Sequence, residues 1–119
     1  MNLLKVVGLV LLLLSLPAMA SVNAMGIHDV SHVWLDQPTR VGSVVLPAGN
    51  YTIHHSMEGQ DHVMTFQNAT RKTVFKVKCT LVPLEHKASQ DQSIFELKSG
   101  SERILHELVF RGDTAKHVF

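Results

Sequence analysis

Apolar and polar residues alternate along most of the chain from His28 onward, the pattern of β-strands that bury one face. The clearest example is segment 72–84, where the apolar face comprises Phe75, Val77, Cys79 and Leu81 and the opposite face carries Lys76 and Lys78. Further strands are predicted at residues 28–36, 39–46, 51–56, 61–68, 93–99 and 102–112. Seven strands with turn signals about every 8 to 12 residues predict an all-β fold, a small antiparallel β-sandwich or barrel.

The inward faces of these strands define a predicted core. Its members are Trp34, Phe66, Phe75, Val77, Leu81, Phe95 and Leu97. A helix competes with the last strand, because Ile104, Leu105 and Leu108 also fit helical spacing. The Ser-Gly-Ser turn before this segment and the surrounding strands favour β structure.

The turn LPAGNY, residues 46–51, has a clear conformational basis. Pro47 fixes φ at the second turn position, and Gly49 supplies a positive φ. A Val-rich strand followed by this turn and a tyrosine resembles an element of small exported bacterial β-domain proteins, and the segment EGQDHVMTFQN that follows is similar to a hairpin of exported proteins of soil bacteria. The matching residues are Val44, Val45, Leu46, Pro47, Ala48, Gly49, Tyr51 and Ile53. The resemblance implies an architecture and carries no activity with it.

The first twenty residues have the layout of a secretory signal peptide. Lys5 precedes an apolar run, and PAMA supplies an Ala-x-Ala cleavage pattern that ends at Ala20, with a second small-residue site at Ala24. The apolar run of about 11 residues is shorter than the about 20 that span a bilayer. The sequence therefore predicts a signal peptide at residues 1–20 and a single periplasmic or secreted β domain at 21–119. No integral membrane span is expected after cleavage.

Charge and motif content narrow the function. Without Lys5, ten basic and ten acidic residues remain, so the net charge is zero with neutral histidines. No cluster of basic residues is present that would bind nucleic acid. Cys79 is the only cysteine, so an internal disulfide is impossible. The chain carries no Gly-x-Ser-x-Gly motif, phosphate-binding glycine loop or close carboxylate pair. It is predicted not to be an enzyme, no cofactor is assigned, and the tripeptide Arg111-Gly112-Asp113 is interpreted as a chance turn.

The eight histidines are the remaining chemical signal. Strand parity places His55, His62 and His106 on faces that carry apolar residues, as it does Cys79. Imidazole and thiolate suit copper or zinc, and histidine also ligates haem, so these four residues are candidate metal ligands. Against a metal site, the spacing matches no zinc motif, and no methionine follows Cys79 as a blue-copper centre requires. Isolated histidines on strands are usually half-buried residues that bond a neighbour.

Two hypotheses follow. The first is a non-catalytic exported domain that acts as a binding or structural module for an unknown small ligand or protein partner. The second is a periplasmic metal or haem binder that uses inward-facing histidines. They differ in one structural consequence: whether three of His32, His55, His62, Cys79 and His106 converge within ligand distance.

Overall fold

The computed structural model describes residues 26–98, 100 and 102–119, so the predicted signal peptide at 1–20 lies outside the described residues. The described residues form nine strands and no helix: β1 (Val30–Leu35), β2 (Thr39–Val41), β3 (Val44–Leu46), β4 (Gly49–Glu58), β5 (Asp61–Asn68), β6 (Val74–Pro83), β7 (Gln92–Leu97), β8 (Arg103–Val109) and β9 (Ala115–Val118). The all-β prediction is confirmed, and the segment that also fitted helical spacing is strand β8.

Within this part of the chain, no helix is long and apolar enough to cross a membrane.

All nine strands belong to one mixed sheet. Its order is β1-β4-β5-β6-β9-β8-β2-β3, and β7 also pairs with β8. Every pairing is antiparallel except that of β2 with β8, where Arg40 lies opposite Ile104 and Val41 opposite Leu105. The sequence predicted a purely antiparallel sheet, and that prediction is wrong for the pairing of β2 with β8. β9 pairs with a later part of β8, at Glu107 and Leu108.

One face of the sheet encloses a single core. Its buried members are Leu35, Val41, Leu46, Tyr51, Ile53, Met64, Phe66, Val77, Leu105, Leu108 and Phe110. These residues come from strands along the whole order of the sheet, so the sheet must curve around a common interior. β1 and β3 stand at the two ends of that order, and the described strands form an open sheet.

The described part of the chain forms nine strands, whereas the sequence predicted seven. Segment 39–46, interpreted as one strand, is the hairpin β2–β3, and it turns at Gly42 with φ of +59°. The β-branched residues on both sides of Gly42 made the segment look continuous. The second addition is β9, a short strand near the end of the chain that the sequence analysis did not identify.

The core prediction was right at Phe66 and Val77, partly right elsewhere on β6, where Phe75 and Leu81 are half-buried, and wrong at two edges. Phe66 and Val77 are buried, while Trp34 and Leu97 are 66% and 72% exposed. On β1 the buried residues are Ser31 and Leu35, so the inward face is the opposite of the one predicted. Both faces of β1 carry apolar residues, and alternation alone does not say which one turns inward. Leu97 lies on β7, a peripheral strand whose residues are all exposed, Phe95 among them.

The turn before β4 has the conformation that its sequence predicts. Gly49 has φ of +152°, and a Cβ added there would lie 2.8 Å from Asn68 Nδ2. Tyr51 is buried, and its hydroxyl donates a hydrogen bond of 2.6 Å to the Pro47 carbonyl oxygen. These contacts fix the start of β4 and with it the register of the β4–β5 hairpin.

Candidate metal centre

Two histidines enter the interior from the β4–β5 hairpin. In this antiparallel pair, His55 lies opposite Met64 and His62 lies opposite Met57, so the two histidines are diagonal neighbours on the same face. Only 7% of His55 and 4% of His62 is exposed. Both side chains are therefore buried, as strand parity predicts, whereas the adjacent His54 is exposed.

A third histidine reaches the same place from a distant part of the chain. His117 lies on β9, opposite Leu108 of β8 and Leu81 of β6, and it is completely buried. The sequence analysis missed this residue because β9 has only four residues. A signal was present, since Ala115 and His117 are the buried positions of a short alternating run.

These three residues, His55, His62 and His117, form what we call the histidine triad. One nitrogen from each ring can be chosen so that all three lie within 4.8 Å of one another. His55 Nδ1 is 3.1 Å from His62 Nε2. The Phe110 ring packs edge-on against His55 and His117, with centroid distances of 5.7 and 5.5 Å. The triad is thus a compact group of nitrogen donors with an aromatic wall.

Hydrogen bonds orient two of the three rings. His117 Nδ1 donates to the Leu108 carbonyl oxygen at 3.2 Å. A carbonyl only accepts, so in the neutral ring the lone pair is on Nε2. His55 Nε2 is held by the Ser31 hydroxyl at 3.0 Å, which leaves Nδ1 for His62. Anchoring one nitrogen and presenting the other is how proteins orient metal-ligating histidines.

The polar atoms left without a partner concentrate at this place. Among the described residues, three buried side-chain atoms lack a hydrogen-bond partner: His62 Nδ1, His117 Nε2 and Asp113 Oδ2. Two belong to the triad, and the third belongs to a carboxylate whose negative charge acts on His62. An unsatisfied buried polar group costs about 1–3 kcal/mol. The triad therefore has bonding capacity that the protein itself does not use.

Burial keeps the triad neutral. Burial, together with the smaller effects of the neighbouring His117 and His62, lowers the pKa of His55 to about 3. Burial also lowers the pKa of His117 to about 4, although the hydrogen bond to Leu108 opposes this shift. The pKa of His62 is lowered by burial, and the charge of Asp113 opposes that shift. At neutral pH all three imidazoles are in the form that binds metal ions.

Asp113 contributes a buried negative charge beside the triad. It is fully buried, and its Oδ1 accepts hydrogen bonds from the backbone N and from Nδ1 of His28 at 3.1 and 2.6 Å. Asp113 is also the last residue of the Arg-Gly-Asp tripeptide. Its burial removes the carboxylate that an adhesion motif would have to present at the surface.

The remaining candidates from the sequence occupy different surroundings. His106 is outside the triad, and its Nε2 donates to Glu96 Oε2 at 2.6 Å near the surface. His32 is exposed on β1. Cys79 is half-buried on β6 directly opposite His62, and burial raises the pKa of its thiol to about 12. Of the five residues of which three were expected to converge, only His55 and His62 belong to the triad. The third member, His117, was not among the five, and Cys79 lies opposite His62 on the neighbouring strand.

The triad fits the requirements of a transition-metal ion. Zinc–nitrogen bonds of about 2.0–2.1 Å place tetrahedral ligand nitrogens about 3.3 Å apart. The 3.1 Å separation of His55 Nδ1 and His62 Nε2 is close to that value. One nitrogen from each ring lies within 4.8 Å of the others, so the widest separation that this allows would have to shorten by about 1.5 Å for one ion to bind all three.

Comparison with known proteins does not assign this site. No family model matches the chain, and neither the curated proteins nor the solved structures contain a significant match.

Proposed function

We propose that the protein is an exported, non-catalytic β domain that binds one transition-metal ion through the histidine triad of His55, His62 and His117. The observation that carries the proposal is the convergence of three buried imidazole nitrogens within 4.8 Å. The signal-peptide layout of the first twenty residues supports export. Of the two hypotheses from the sequence, the metal binder is the one that the site favours.

The hydrogen-bond pattern favours an ion over a purely structural cluster. Structural histidines in a core normally satisfy both ring nitrogens, because unsatisfied buried groups are costly. Here His117 Nε2 has no partner, while the opposite nitrogen of the same ring donates to the Leu108 carbonyl oxygen. A metal ion accepts the lone pair that His117 presents without requiring a hydrogen-bond donor.

The chemistry of the donors narrows the class of ion. Imidazole nitrogen suits zinc, copper, nickel and iron, whereas calcium and magnesium require oxygen ligands. Three nitrogens that converge on one point favour a bare ion over haem, whose iron takes its protein ligands along the axis of a flat macrocycle. The three rings are at most 7% exposed, and this burial favours holding an ion over reacting with a substrate.

Metal titration of the purified protein tests the proposal. We expect saturable binding of one Zn(II) or Cu(II) per chain by competition with a chromophoric chelator. His117→Gln should weaken that binding by at least about 100-fold, because it removes a ligand itself and mutation of an outer-shell partner alone already costs about 10–100-fold. His54→Gln is the matched control, since His54 neighbours a triad residue but is exposed. Its affinity should equal that of the wild type.

X-ray absorption of the zinc-loaded protein supplies a structural readout. The proposal requires nitrogen or oxygen scatterers at about 2.0–2.1 Å and a histidine multiple-scattering signature. Absence of saturable binding, or equal affinities for the wild type and His117→Gln, would contradict it. In that outcome an ordered water would explain the unpartnered nitrogens.

A further inference from the structure

A second set of metal donors lies beside the triad, in a row across three strands. Met57 of β4 lies opposite His62 of β5, and His62 lies opposite Cys79 of β6. Residues that pair directly across antiparallel strands point to the same face, with Cβ atoms about 4.5–5.5 Å apart. Met57, His62 and Cys79 therefore form one continuous line of side chains, which we call the sulfur row.

The row lines a cleft near the surface. The cleft has a volume of about 270 Å³, and its lining comprises Met57, Gln60, Asp61, His62, Cys79, Thr80 and Leu81. Met57 is 46% exposed, Cys79 is half-buried, and His62 is 4% exposed. An ion from solvent can thus reach the row directly, whereas the triad lies deeper.

The donor types indicate which ion the row would select. Zinc in proteins is bound by cysteine, histidine and carboxylates, and a methionine thioether is not among its usual ligands. Thiolate and thioether sulfur select soft ions such as Cu(I). Methionine is also flexible and polarisable, so Met57 can adjust its sulfur at little cost.

His62 provides an independent indication of a ligand. Its side chain is buried, and its Nδ1 has no hydrogen-bond partner. The other ring nitrogen, Nε2, faces His55 of the triad. His62 is therefore common to both donor sets, and its Nδ1 is a nitrogen that no other group of the protein binds.

We propose that Met57, His62 and Cys79 form a second metal site that is selective for soft monovalent ions, Cu(I) or Ag(I). The two sites share His62, and a neutral imidazole has a lone pair on only one of its nitrogens, so the chain holds one ion at a time. On binding, the Cys79 thiol releases its proton to solvent and its sulfur bonds to the ion. The ion arrives as Cu(I) or Ag(I), and no electron is transferred.

Ag(I) binding to the intact protein tests the row without redox chemistry. Met57→Leu keeps the size and apolar character of an exposed side chain and removes the sulfur. It should weaken Ag(I) binding by about tenfold, equivalent to about 1.4 kcal/mol, and leave Zn(II) affinity unchanged. Cys79→Ala should act in the same direction. Gln60→Ala, which alters the same cleft without removing a soft donor, should change neither affinity.

Two spectroscopic readouts follow the sulfur atoms themselves. Ag(I) should shift the methyl resonance of Met57 in protein carrying ¹³C-methyl methionine. X-ray absorption of the Cu(I)-loaded protein should show sulfur scatterers that are reduced in Met57→Leu. Unchanged Ag(I) affinity in both sulfur variants, or Cu(I) spectra without sulfur, would overturn the proposal.

His117→Gln separates this proposal from that of the histidine triad. The variant should lose Zn(II) binding but keep Ag(I) binding, because His117 is not in the row. If the sulfur variants bind Ag(I) normally and His117→Gln does not, the row is wrong and the triad stands. If the sulfur variants lose Ag(I) while His117→Gln keeps Zn(II), the triad is wrong and the row stands.

Discussion

His55 Nδ1 lies 3.1 Å from His62 Nε2, although the two residues are on different strands of the β4–β5 hairpin. Only one of these facing nitrogens can carry a hydrogen while the other accepts, so the contact requires at least one unprotonated ring nitrogen. A second proton would place a buried cation against neutral rings. The register of a single hairpin thus creates a nitrogen-rich, proton-excluding position, which His117 completes from β9.

Acidification should destabilise the metal-free protein. The ordinary pKa of the histidines is 6.5, and the folded state lowers it to about 3 for His55 and about 4 for His117. The unfolded state therefore takes up protons first as the pH falls. The stability from these neutral rings is present above about pH 6.5 and is lost progressively below it. Between pH 7 and pH 5 we expect a loss of about 2 kcal/mol for each of these rings.

Urea unfolding at pH 7, 6 and 5 measures this loss. His55→Gln should flatten the pH dependence by up to about 1.4 kcal/mol per pH unit, because it removes one depressed pKa. His54→Gln, at the exposed neighbouring position, should leave the slope unchanged. Equal slopes for the wild type and His55→Gln would show that His55 is not held neutral by burial.

Phe66 should be a main determinant of stability. It is completely buried, and its ring packs edge-on against Tyr51 with a centroid distance of 6.2 Å. Phe66→Ala should lower the free energy of unfolding by about 3–5 kcal/mol, through lost burial and the cavity it leaves.

Trp34→Ala is the matched comparison for aromatic truncation. The side chain of Trp34 is 66% exposed on the outward face of β1, so the change should cost no more than about 0.5 kcal/mol. Chemical denaturation of both variants provides the measurement. A loss for Trp34→Ala as large as that for Phe66→Ala would mean that Trp34 faces inward after all.

Gly49 should tolerate no side chain. Its φ is +152°, and a Cβ would lie 2.8 Å from Asn68 Nδ2. Asn68 cannot easily yield, because its Oδ1 accepts hydrogen bonds from Thr70 N, Thr70 Oγ1 and Arg71 N. Gly49→Ala should cost about 1–3 kcal/mol of stability.

Gly59→Ala distinguishes the cost of backbone strain from the cost of steric crowding at these turns. Gly59 has φ of +64°, but nothing lies within 4 Å of an added Cβ. The substitution should therefore lower the free energy of unfolding by only about 1 kcal/mol, the cost of placing a side chain on a left-handed backbone. Thermal unfolding of the two variants side by side checks the difference. A Gly49→Ala variant as stable as Gly59→Ala would contradict the steric role of Asn68.

The sequence predicted the part of the site that lies on the β4–β5 hairpin. β5 begins and ends at the predicted residues, 61 and 68, since the turn at Gly59 and the alternation of the strands are encoded within a few residues of each other. Strand parity then placed His55 and His62 on the inward face. The same reasoning failed on β1, where both faces are apolar and the contact of Ser31 with His55 is a tertiary feature.

His117 could not be assigned in the same way. β9 is only four residues long, and it pairs with β6 and β8, which lie earlier in the chain. A strand this short gains its definition from long-range pairing and little from its own sequence. The parallel pairing of β2 with β8 is tertiary in the same sense. Two members of the triad, His55 and His62, therefore follow from local sequence and were predictable, whereas the third, His117, depends on the topology of the sheet.

Asp113 should tune the triad through its charge. It is buried, its Oδ2 has no partner, and its charge raises the pKa of His62 against the effect of burial. A buried cation is stabilised by a nearby anion, so Asp113→Asn should weaken Zn(II) binding by about tenfold. It should also move the pKa of His62 further below its ordinary value, which histidine NMR titration measures. Asn keeps an oxygen that can accept from the backbone N of His28, so far-UV circular dichroism should remain unchanged.

Asp36→Asn controls for the loss of a carboxylate as such. Asp36 is an exposed residue whose Oδ1 pairs with Arg103 Nη1 at 2.7 Å. If the charge of Asp113 acts on the triad, only Asp113→Asn changes the pKa of His62 and the affinity for Zn(II). Equal affinities for the two variants, with the pKa of His62 unmoved in both, would restrict Asp113 to anchoring His28. A lower Zn(II) affinity together with an unchanged pKa of His62 would instead point to a direct bond between Asp113 and the ion, because a ligand is lost without a change in the field at His62.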